Sequence, residues 1–135
     1  APFAKSAHMY GWTCAFPVMM RDDNDAKARM TFWDVPLDGT RRAFFDKPAR
    51  AVTPDDPSLA GCTPCNSREI DAVVVPMVAF DAGNMRLGYG GGNYDRFLRE
   101  LRSDAVVCGI AFQEQEVEAV PTEPHDLALP KIIVA

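Results

Sequence analysis

A short run of β-branched residues constrains the fold of this chain more than any other feature of its sequence. Residues 70–75 read IDAVVV, with a single charged side chain, and the run stops at Pro76. Strands that are buried on both faces of a parallel sheet have this composition, because neither face alternates with solvent. The run therefore predicts such a strand.

The residues that follow predict a parallel βαβ unit. Residues 93–102 carry an apolar side chain at every third or fourth position, and Asn93 is a candidate N-cap. Two further apolar runs, 105–112 and 131–134, predict strands that return to the sheet. A strand, a helix and a second parallel strand form a right-handed crossover, so we predict an α/β fold.

The first half of the chain predicts less regular structure. Residues 13–16 and 30–33 are short apolar runs, the first closed by Pro17, and they predict two strands joined by a polar loop. Residues 36–64 are rich in proline and lack apolar periodicity, which indicates a surface excursion without long elements. Since no repeat or flexible linker divides the chain, we expect one domain over residues 1–135.

Charge and composition disfavour several kinds of partner. Fourteen Lys+Arg against nineteen Asp+Glu give a formal net charge of −5, and the basic residues are scattered, so neither nucleic acid nor an anionic membrane is expected to bind. No apolar run approaches the ~20 residues needed to cross a bilayer. The start of the chain does not read as a secretory signal. We therefore expect a cytoplasmic protein, as a monomer or weak homodimer.

The four cysteines are expected to be reduced thiols in that compartment. Cys62 and Cys65 have the spacing of a redox dithiol, but they lie in a proline-rich stretch and do not open a helix after a strand. A zinc site of the finger type would need a second ligand pair of matching spacing. Redox and zinc interpretations are therefore the less favoured ones.

A glycine-rich loop before the predicted helix is the strongest candidate site. Residues 86–96 read RLGYGGGNYDR, with four glycines in the five positions 88–92. Backbone amides without Cβ atoms, at the N-terminus of a helix, favour an anion such as phosphate. Arg86 and Arg96 can add charge-assisted hydrogen bonds, and Asp95 can hold magnesium. The alternative is a turn that only lets helix and strand pack closely.

The two common nucleotide fingerprints do not fit this loop. A Rossmann motif needs a third glycine where Asn93 stands, and a P-loop needs Gly-Lys-Ser/Thr where residues 93–95 read NYD. A generic assignment to either class is therefore excluded.

Two segments in fixed order carry a more specific resemblance. Residues 73–98 read VVVPMVAFDAGNMRLGYGGGNYDRFL, and residues 109–126 read GIAFQEQEVEAVPTEPHD. Together they resemble the signature of the 5-formyltetrahydrofolate cyclo-ligase family, also called methenyltetrahydrofolate synthetases. The resemblance implies a three-layer α/β sandwich with a mostly parallel sheet (NagB/RpiA/CoA-transferase-like). It also implies that the chain corresponds to the later two-thirds of the family's length, without its N-terminal part.

The resemblance implies a reaction and its partners. Enzymes of the family use magnesium ATP to cyclise 5-formyltetrahydrofolate to 5,10-methenyltetrahydrofolate, with release of ADP and phosphate. The formyl oxygen would attack the γ-phosphate to give an imino-phosphate, and the neighbouring folate nitrogen would then close the ring and expel phosphate. The implied co-substrate is ATP, the implied metal is Mg²⁺, and the implied substrate is 5-formyltetrahydrofolate.

Site residues follow from the resemblance position by position. The implied catalytic residues are Arg86, Tyr94 and Arg96, and the implied metal ligands are Asp95 and Asp126. The folate would contact residues 89–93. The implied ATP-binding residues are Arg86, Leu87, Gly88, Tyr89, Gly90, Gly91, Gly92, Asn93 and Tyr94.

Several neighbouring residues favour ordinary interpretations. His125 is expected to be a surface or supporting residue, and Gln113 and Gln115 are expected to be solvated at a strand end, although they can shape a pocket wall. Asn93 stands where tyrosine is common in the family, which removes an aromatic surface from the substrate site.

Two other functions stay open at this point. One is a non-catalytic nucleotide- or folate-binding relative, motivated by the missing N-terminal basic helix. The other keeps the fold and changes the substrate, as in sugar-phosphate isomerases or CoA-transferases, which would not require the two acidic residues Asp95 and Asp126.

Overall fold

The structure is a computed structural model that describes residues 2–21, 27–37 and 50–135. Residues 38–49 of the predicted excursion therefore lie outside the described residues. The chain divides into two compact units, Ala1–Asn66 and Ser67–Ala135. This division does not test the expectation of a single domain, which stays a prediction.

The first unit is built on an antiparallel sheet with the strand order β1-β2-β3. Val18 pairs with Thr31 between the first two strands, and Phe32 pairs with Cys65 between the last two. The elements of the unit are helix α1 (Pro2–Met9), strands β1 (Ala15–Met20), β2 (Arg29–Asp34) and β3 (Thr63–Cys65), and a 3₁₀ helix (Pro57–Leu59).

Strand β1 continues past the point where the sequence predicted its end. Pro17 lies inside the strand and pairs with Phe32 of β2. Proline is tolerated there because β1 is at the edge of the sheet, where one side of the strand needs no ladder hydrogen bonds. The prediction of two early strands is confirmed, although the first strand ends at Met20 and not at residue 16. Strand β3 was not predicted, since it is short and contains Pro64.

A cluster of apolar side chains forms the core of this unit. Trp33 lies in it and donates its indole N–H to Thr31 Oγ1 at 3.1 Å, which satisfies the one polar atom of the ring. Side chains of this size contribute roughly 1.5–3 kcal/mol each when fully buried. The buried members are Val18, Trp33, Val35, Val52 and Leu59.

The cysteines of the first unit do not form a dithiol site. The extended backbone of β3 separates Cys62 from Cys65 by roughly 10 Å, which exceeds the reach of a disulfide. Burial raises the pKa of the Cys14 thiol, and the nearby Asp34 carboxylate adds to this effect. The Cys14 thiol is therefore protonated at neutral pH and a poor nucleophile.

The second unit contains the predicted parallel sheet, with the strand order β4-β7-β8. Both strand pairs are parallel, so this prediction is confirmed, while the sheet of the first unit and the β5-β6 hairpin are antiparallel. Among the described residues, no helix is long and apolar enough to span a bilayer. The elements are β4 (Ala72–Pro76), β5 (Ala79–Phe80), β6 (Arg86–Leu87), α2 (Asn93–Glu100), β7 (Val106–Ala111), β8 (Ile132–Val134) and 3₁₀ helices at Ser67–Glu69 and Gln113–Gln115.

Strand β4 is not buried on both faces, contrary to the prediction. Val73 and Val75 are 4% and 0% exposed, whereas Val74 between them is 47% exposed. The register places Val75 beside Gly109, and Gly109 is also buried. One face of the parallel sheet is therefore covered and the other is open.

Gly109 is required for the packing of the covered face. A Cβ atom at this position would lie 2.5 Å from Met77 Cε and 2.8 Å from Leu129 Cδ1. Both distances are far below van der Waals contact. The side chains of Met77 and Leu129 therefore occupy the space that a larger residue at position 109 would need.

We predict that Gly109→Ala destabilises the protein by about 1–3 kcal/mol, because the added methyl group overpacks the covered face. Urea denaturation followed by circular dichroism measures the change. Gly88→Ala is the matched control, since its Cβ would meet nothing within 4 Å. Equal stabilities of the two variants would contradict the packing described above.

Candidate functional site

The glycine-rich loop leads from β6 directly into α2. The residue before the helix is Gly92, with φ of 58°, and Gly90 has φ of 85°. L-residues rarely adopt such values, so both positions favour glycine. Asn93, the predicted N-cap, is instead the first helical residue, and that prediction was wrong. Because Gly92 has no side chain to cap the helix, the loop presents its N-terminal amides and the positive end of the dipole.

Arg96 folds back onto the loop that precedes it. Its Nη2 donates to the carbonyl oxygen of Gly91 at 3.1 Å and to Asn93 Oδ1 at 2.9 Å. A Cβ at Gly91 would lie 2.8 Å from Asn93 Nδ2, so the amide group of Asn93 packs against this glycine. Arg96 is exposed, and its charge lies beside the loop amides. This arrangement places a cation at the position where an anion would approach.

Arg86 forms a buried ion pair that connects three segments. Its Nη2 donates to Asp95 Oδ1 at 2.8 Å, and its Nη1 donates to the carbonyl oxygen of Leu127 at 3.1 Å. The side chain of Arg86 is 5% exposed and that of Asp95 is 20% exposed. The guanidinium therefore ties β6 to α2 and to the segment around residue 127. The sequence predicted that Arg86 binds phosphate. It did not predict that Arg86 links these three segments.

A second arginine attaches the same segment to α2. Arg99 Nη2 donates to the carbonyl oxygen of His125 at 2.6 Å. The neighbouring Asp126 accepts a hydrogen bond from the backbone N–H of Glu123 at 2.7 Å, which closes the turn. His125 is thus held through its backbone carbonyl, while its Nε2 lies 3.2 Å from Glu123 Oε2. Through these contacts the structure brings the segment of Asp126 to the helix that carries Asp95.

Asp95 and Asp126 could hold a metal ion only together with further ligands. Among the described residues, no group of three or more His, Cys, Asp or Glu side chains could hold a metal ion. Asp95 has one carboxylate oxygen on Arg86, and the side chain of Asp126 is 27% exposed. Magnesium is usually bound by one or two carboxylates together with phosphate oxygens and water. The donor set therefore fits a magnesium ion that arrives with a nucleotide.

The two tyrosines of the loop differ in their environment. Tyr89 is 92% exposed, so its ring is accessible to a ligand. Tyr94 is partly buried, and burial raises the pKa of its hydroxyl, while the positive charge of Arg86 acts in the opposite direction. The Tyr94 hydroxyl is therefore neutral at physiological pH and can donate a hydrogen bond.

Asp81 anchors the segment that leads to Asp126, a role that sequence reasoning missed. Its Oδ2 accepts from the backbone N–H of Val120 at 3.0 Å, and its Oδ1 accepts from the backbone N–H groups of Gly83 and Met85 at 2.9 and 3.2 Å. These bonds lower the pKa of the Asp81 carboxyl, that from Val120 most, although burial acts in the opposite direction. The signal available in the sequence was an aspartate opening a tight turn.

Gln115 is a second anchor of the same kind. Its Nε2 donates to the carbonyl oxygens of Met77 and Val78 at 2.6 and 3.2 Å, and its Oε1 accepts from the N–H of Phe112 at 2.7 Å. The side chain therefore joins the residues after β7 to those after β4. The expectation of a merely solvated glutamine was wrong, because a glutamine three residues into a 3₁₀ turn can cap its start.

Comparison with known sequences gives one consistent result. Residues 9–135 match the sequence model of the family described as the 5-formyltetrahydrofolate cyclo-ligase family. The 5-formyltetrahydrofolate cyclo-ligase of Haemophilus influenzae is 45% identical over 67 residues, which cover 49% of this chain and 36% of the relative. The protein of the same name from Escherichia coli K12 is 40% identical over 65 residues, covering 47% and 36%. The matched part thus spans about a third of each curated relative.

Two solved structures are similar to this chain. The 5,10-methenyltetrahydrofolate synthetase of Mycoplasma pneumoniae aligns with a TM-score of 0.68 and 23% identity, over 97% of this chain and 61% of that one. The synthetase of Aquifex aeolicus aligns with a TM-score of 0.56 and 20% identity, over 98% and 60%. At these identities the likeness shows a shared fold, which confirms the prediction of an α/β protein with a parallel sheet. The finer assignment to a three-layer class stays a prediction.

We predict that Asp95→Ala costs about 3–5 kcal/mol of stability, because it leaves the buried Arg86 charge without its partner. Adding Arg86→Met should recover part of the loss, since an apolar residue of similar volume removes the unpaired charge. Urea denaturation of the single and double variants measures both steps.

Arg102→Met is the control for this experiment. Arg102 pairs with Asp71 and Asp104, whose side chains are 87% and 76% exposed. Breaking these surface pairs should cost far less than breaking the buried one. If Asp95→Ala and Arg102→Met lose equal stability, the Arg86 pair does not hold the site together.

We predict a pH-dependent contribution from Asp81. Because its pKa is lower in the folded state, its contribution is complete above the unfolded value of about 3.9 and is lost as the pH falls through the folded value. Asp81→Asn should therefore have a lower Tm than the wild type at pH 7, and the difference should shrink below about pH 4. Thermal melts of the wild type and of Asp81→Asn across this pH range test the prediction. The variant Glu118→Gln, at an exposed position, is the control. A difference that stays constant with pH would refute the assignment.

Proposed function

We propose that this chain catalyses the ATP-dependent cyclisation of 5-formyltetrahydrofolate to 5,10-methenyltetrahydrofolate, because it belongs to the 5-formyltetrahydrofolate cyclo-ligase family. One observation of the structure carries the proposal. The loop at residues 88–92 reaches the N-terminus of α2 with Gly90 and Gly92 in left-handed conformations and with Arg96 folded beside it. A glycine-rich loop at a helix N-terminus favours a phosphate group, which supports nucleotide binding here.

The nucleotide would bind along residues 86–94. The backbone N–H groups of the glycines and of the first turn of α2 would donate hydrogen bonds to the phosphate oxygens, and the exposed guanidinium of Arg96 would add charge-assisted hydrogen bonds. Arg86 is 5% exposed and engaged with Asp95 and Leu127, so its contacts favour a positioning role. It would hold Asp95 and the start of α2 in place beneath the phosphates.

Asp95 and Asp126 would hold Mg²⁺ together with the phosphate oxygens. When bound, the ion would neutralise charge on the phosphates during transfer. Arg86 keeps one oxygen of Asp95 in a hydrogen bond and so fixes the direction of the other. The backbone N–H of Glu123 donates to one oxygen of Asp126 and in the same way fixes the direction of its other oxygen.

The chemistry requires positioning more than acid–base catalysis. The formyl oxygen of the folate would attack the γ-phosphorus, ADP would leave, and the folate nitrogen would then attack the formyl carbon and expel phosphate. Transfer of this kind depends on alignment and on stabilised charge. The neutral Tyr94 hydroxyl would donate a hydrogen bond to the transferred group, and the exposed ring of Tyr89 would contact the folate.

A nucleotide- or folate-binding protein without cyclisation is the second candidate. The burial of Arg86, which was predicted to be catalytic, favours it. The location in the cytoplasm and the state of monomer or weak homodimer also stay predictions.

We predict that the chain, mixed with 5-formyltetrahydrofolate and magnesium ATP, produces the ultraviolet absorbance band of the methenyl product. Arg96→Ala should lower kcat/KM about 10- to 100-fold, since a hydrogen bond between charged groups contributes roughly 1.5–3 kcal/mol. Asp126→Asn should raise the magnesium concentration needed for half-maximal rate. Arg50→Ala, an exposed arginine of the first unit, is the control.

Calorimetric titration with ATP separates the two candidates. ATP binding without an absorbance band would support the binding protein. A band that is unchanged in Arg96→Ala and Asp126→Asn would mean that the reaction occurs at another site.

A further inference from the structure

The segment that carries Asp126, residues 121–126, lies on the surface with few attachments. Every residue in it is exposed except Asp126, which is half-buried. Side chains of other segments hold the backbone on either side of it, at Val120 and at Leu127. Within residues 121–126, the described part of the chain shows one hydrogen bond to another segment, from Arg99 to the carbonyl oxygen of His125. The position of this stretch therefore depends on Arg99.

The bond acts on the peptide group that joins His125 to Asp126. Its carbonyl oxygen lies 2.6 Å from Arg99 Nη2, and its N–H donates to the carbonyl oxygen of Glu123 at 3.0 Å. A peptide group is planar, so hydrogen bonds at both of its ends fix its orientation. The backbone N–H of Glu123 in turn donates to Asp126 Oδ2 at 2.7 Å. Arg99 therefore orients the turn that holds the carboxylate.

Arg99 also relates this turn to the other acidic residue of the site. Asp95 is in the first turn of α2 and Arg99 is in the last. Residues four positions apart lie on the same face of a helix, with roughly 5–6 Å between their Cβ atoms. The segment of Asp126 is thus held at the face of α2 that carries Asp95.

We infer that Arg99 is a positioning residue of the magnesium site, an inference that rests on the proposed function and its use of Asp95 and Asp126 as ligands. Arg99 itself would contact neither metal nor nucleotide. It sets the position of the second carboxylate relative to the first through the peptide group before Asp126. Magnesium requires near-ideal octahedral geometry, so a carboxylate on a loose turn would bind it more weakly.

Amide hydrogen exchange, measured by NMR on the 135-residue chain, tests the positioning without metal or nucleotide. In Arg99→Ala the amides of Glu123 and Asp126 should exchange about 2- to 10-fold faster, because the turn has lost the hydrogen bond that attaches it to α2. The amide of Leu129 is the internal reference and should not change. It donates to the carbonyl oxygen of Asn84 at 2.9 Å, and Leu129 is buried.

Calorimetric titration with ATP at a series of magnesium concentrations tests the effect on the site. Arg99→Ala should raise the magnesium concentration at half-maximal ATP binding about 2- to 10-fold and should leave the ATP affinity at saturating magnesium nearly unchanged. Arg99→Lys should recover part of the change in both experiments, since an ammonium group can also donate to the carbonyl oxygen.

Arg102→Ala is the matched control for both experiments. Arg102 follows the same helix and also donates to a backbone carbonyl oxygen of another segment, that of Arg68 at 3.3 Å. It should change neither the exchange of the turn amides nor the magnesium requirement.

Three results would overturn the inference on Arg99. One is unchanged exchange of the Glu123 and Asp126 amides in Arg99→Ala. Another is faster exchange with an unchanged magnesium requirement, and the third is a loss of ATP affinity at every magnesium concentration, as a general loss of structure would cause. Failure of the proposed function is distinguishable from these. The wild type itself would then show no magnesium-dependent ATP binding, and the inference would fall with it.

Discussion

The buried guanidinium of Arg86 is the interaction on which the candidate site depends. It is attached to β6, pairs with Asp95 on α2 and donates to a carbonyl oxygen 41 residues away in sequence. A buried charge of this kind is stable only while its partners remain in place, so the hairpin, the helix and the segment around residue 127 constrain one another. The glycine-rich loop lies between the first two of these segments. Its direction of approach to α2 is therefore fixed from both ends.

Sequence patterns were sufficient for the parts of the fold that arise locally. The β-branched run of β4, the helical spacing of α2 and the apolar runs of β7 and β8 each reflect the burial of nearby side chains. Details that depend on distant partners were not predictable in this way. Pro17 lies inside β1 because β1 is at the edge of its sheet, and edge position is a property of the assembled sheet.

The candidate site shows the same division. The glycine-rich loop and its flanking charges could be read from eleven consecutive residues, since the geometry proposed to bind an anion is formed by one turn and one helix start. The attachment of Arg86 to Leu127 and of Arg99 to His125 could not be predicted, because both arginines donate there to backbone carbonyl oxygens, which every residue carries. The N-cap of α2 was wrongly predicted at Asn93, because asparagine is one of the preferred N-cap residues. Gly92 adopts the left-handed conformation before it and takes the N-cap position.

Contacts from side chain to backbone have a consequence for sequence divergence. Arg86, Arg99, Asp81 and Gln115 each hold a peptide group of a neighbouring segment, and none of these bonds uses the side chain of the residue that is held. The identities of the exposed His125 and Leu127 can therefore drift under mutation without breaking the bonds to their backbone carbonyls. Selection at these two positions would act on the arginines that hold them, while Val120 stays constrained by its burial in the core.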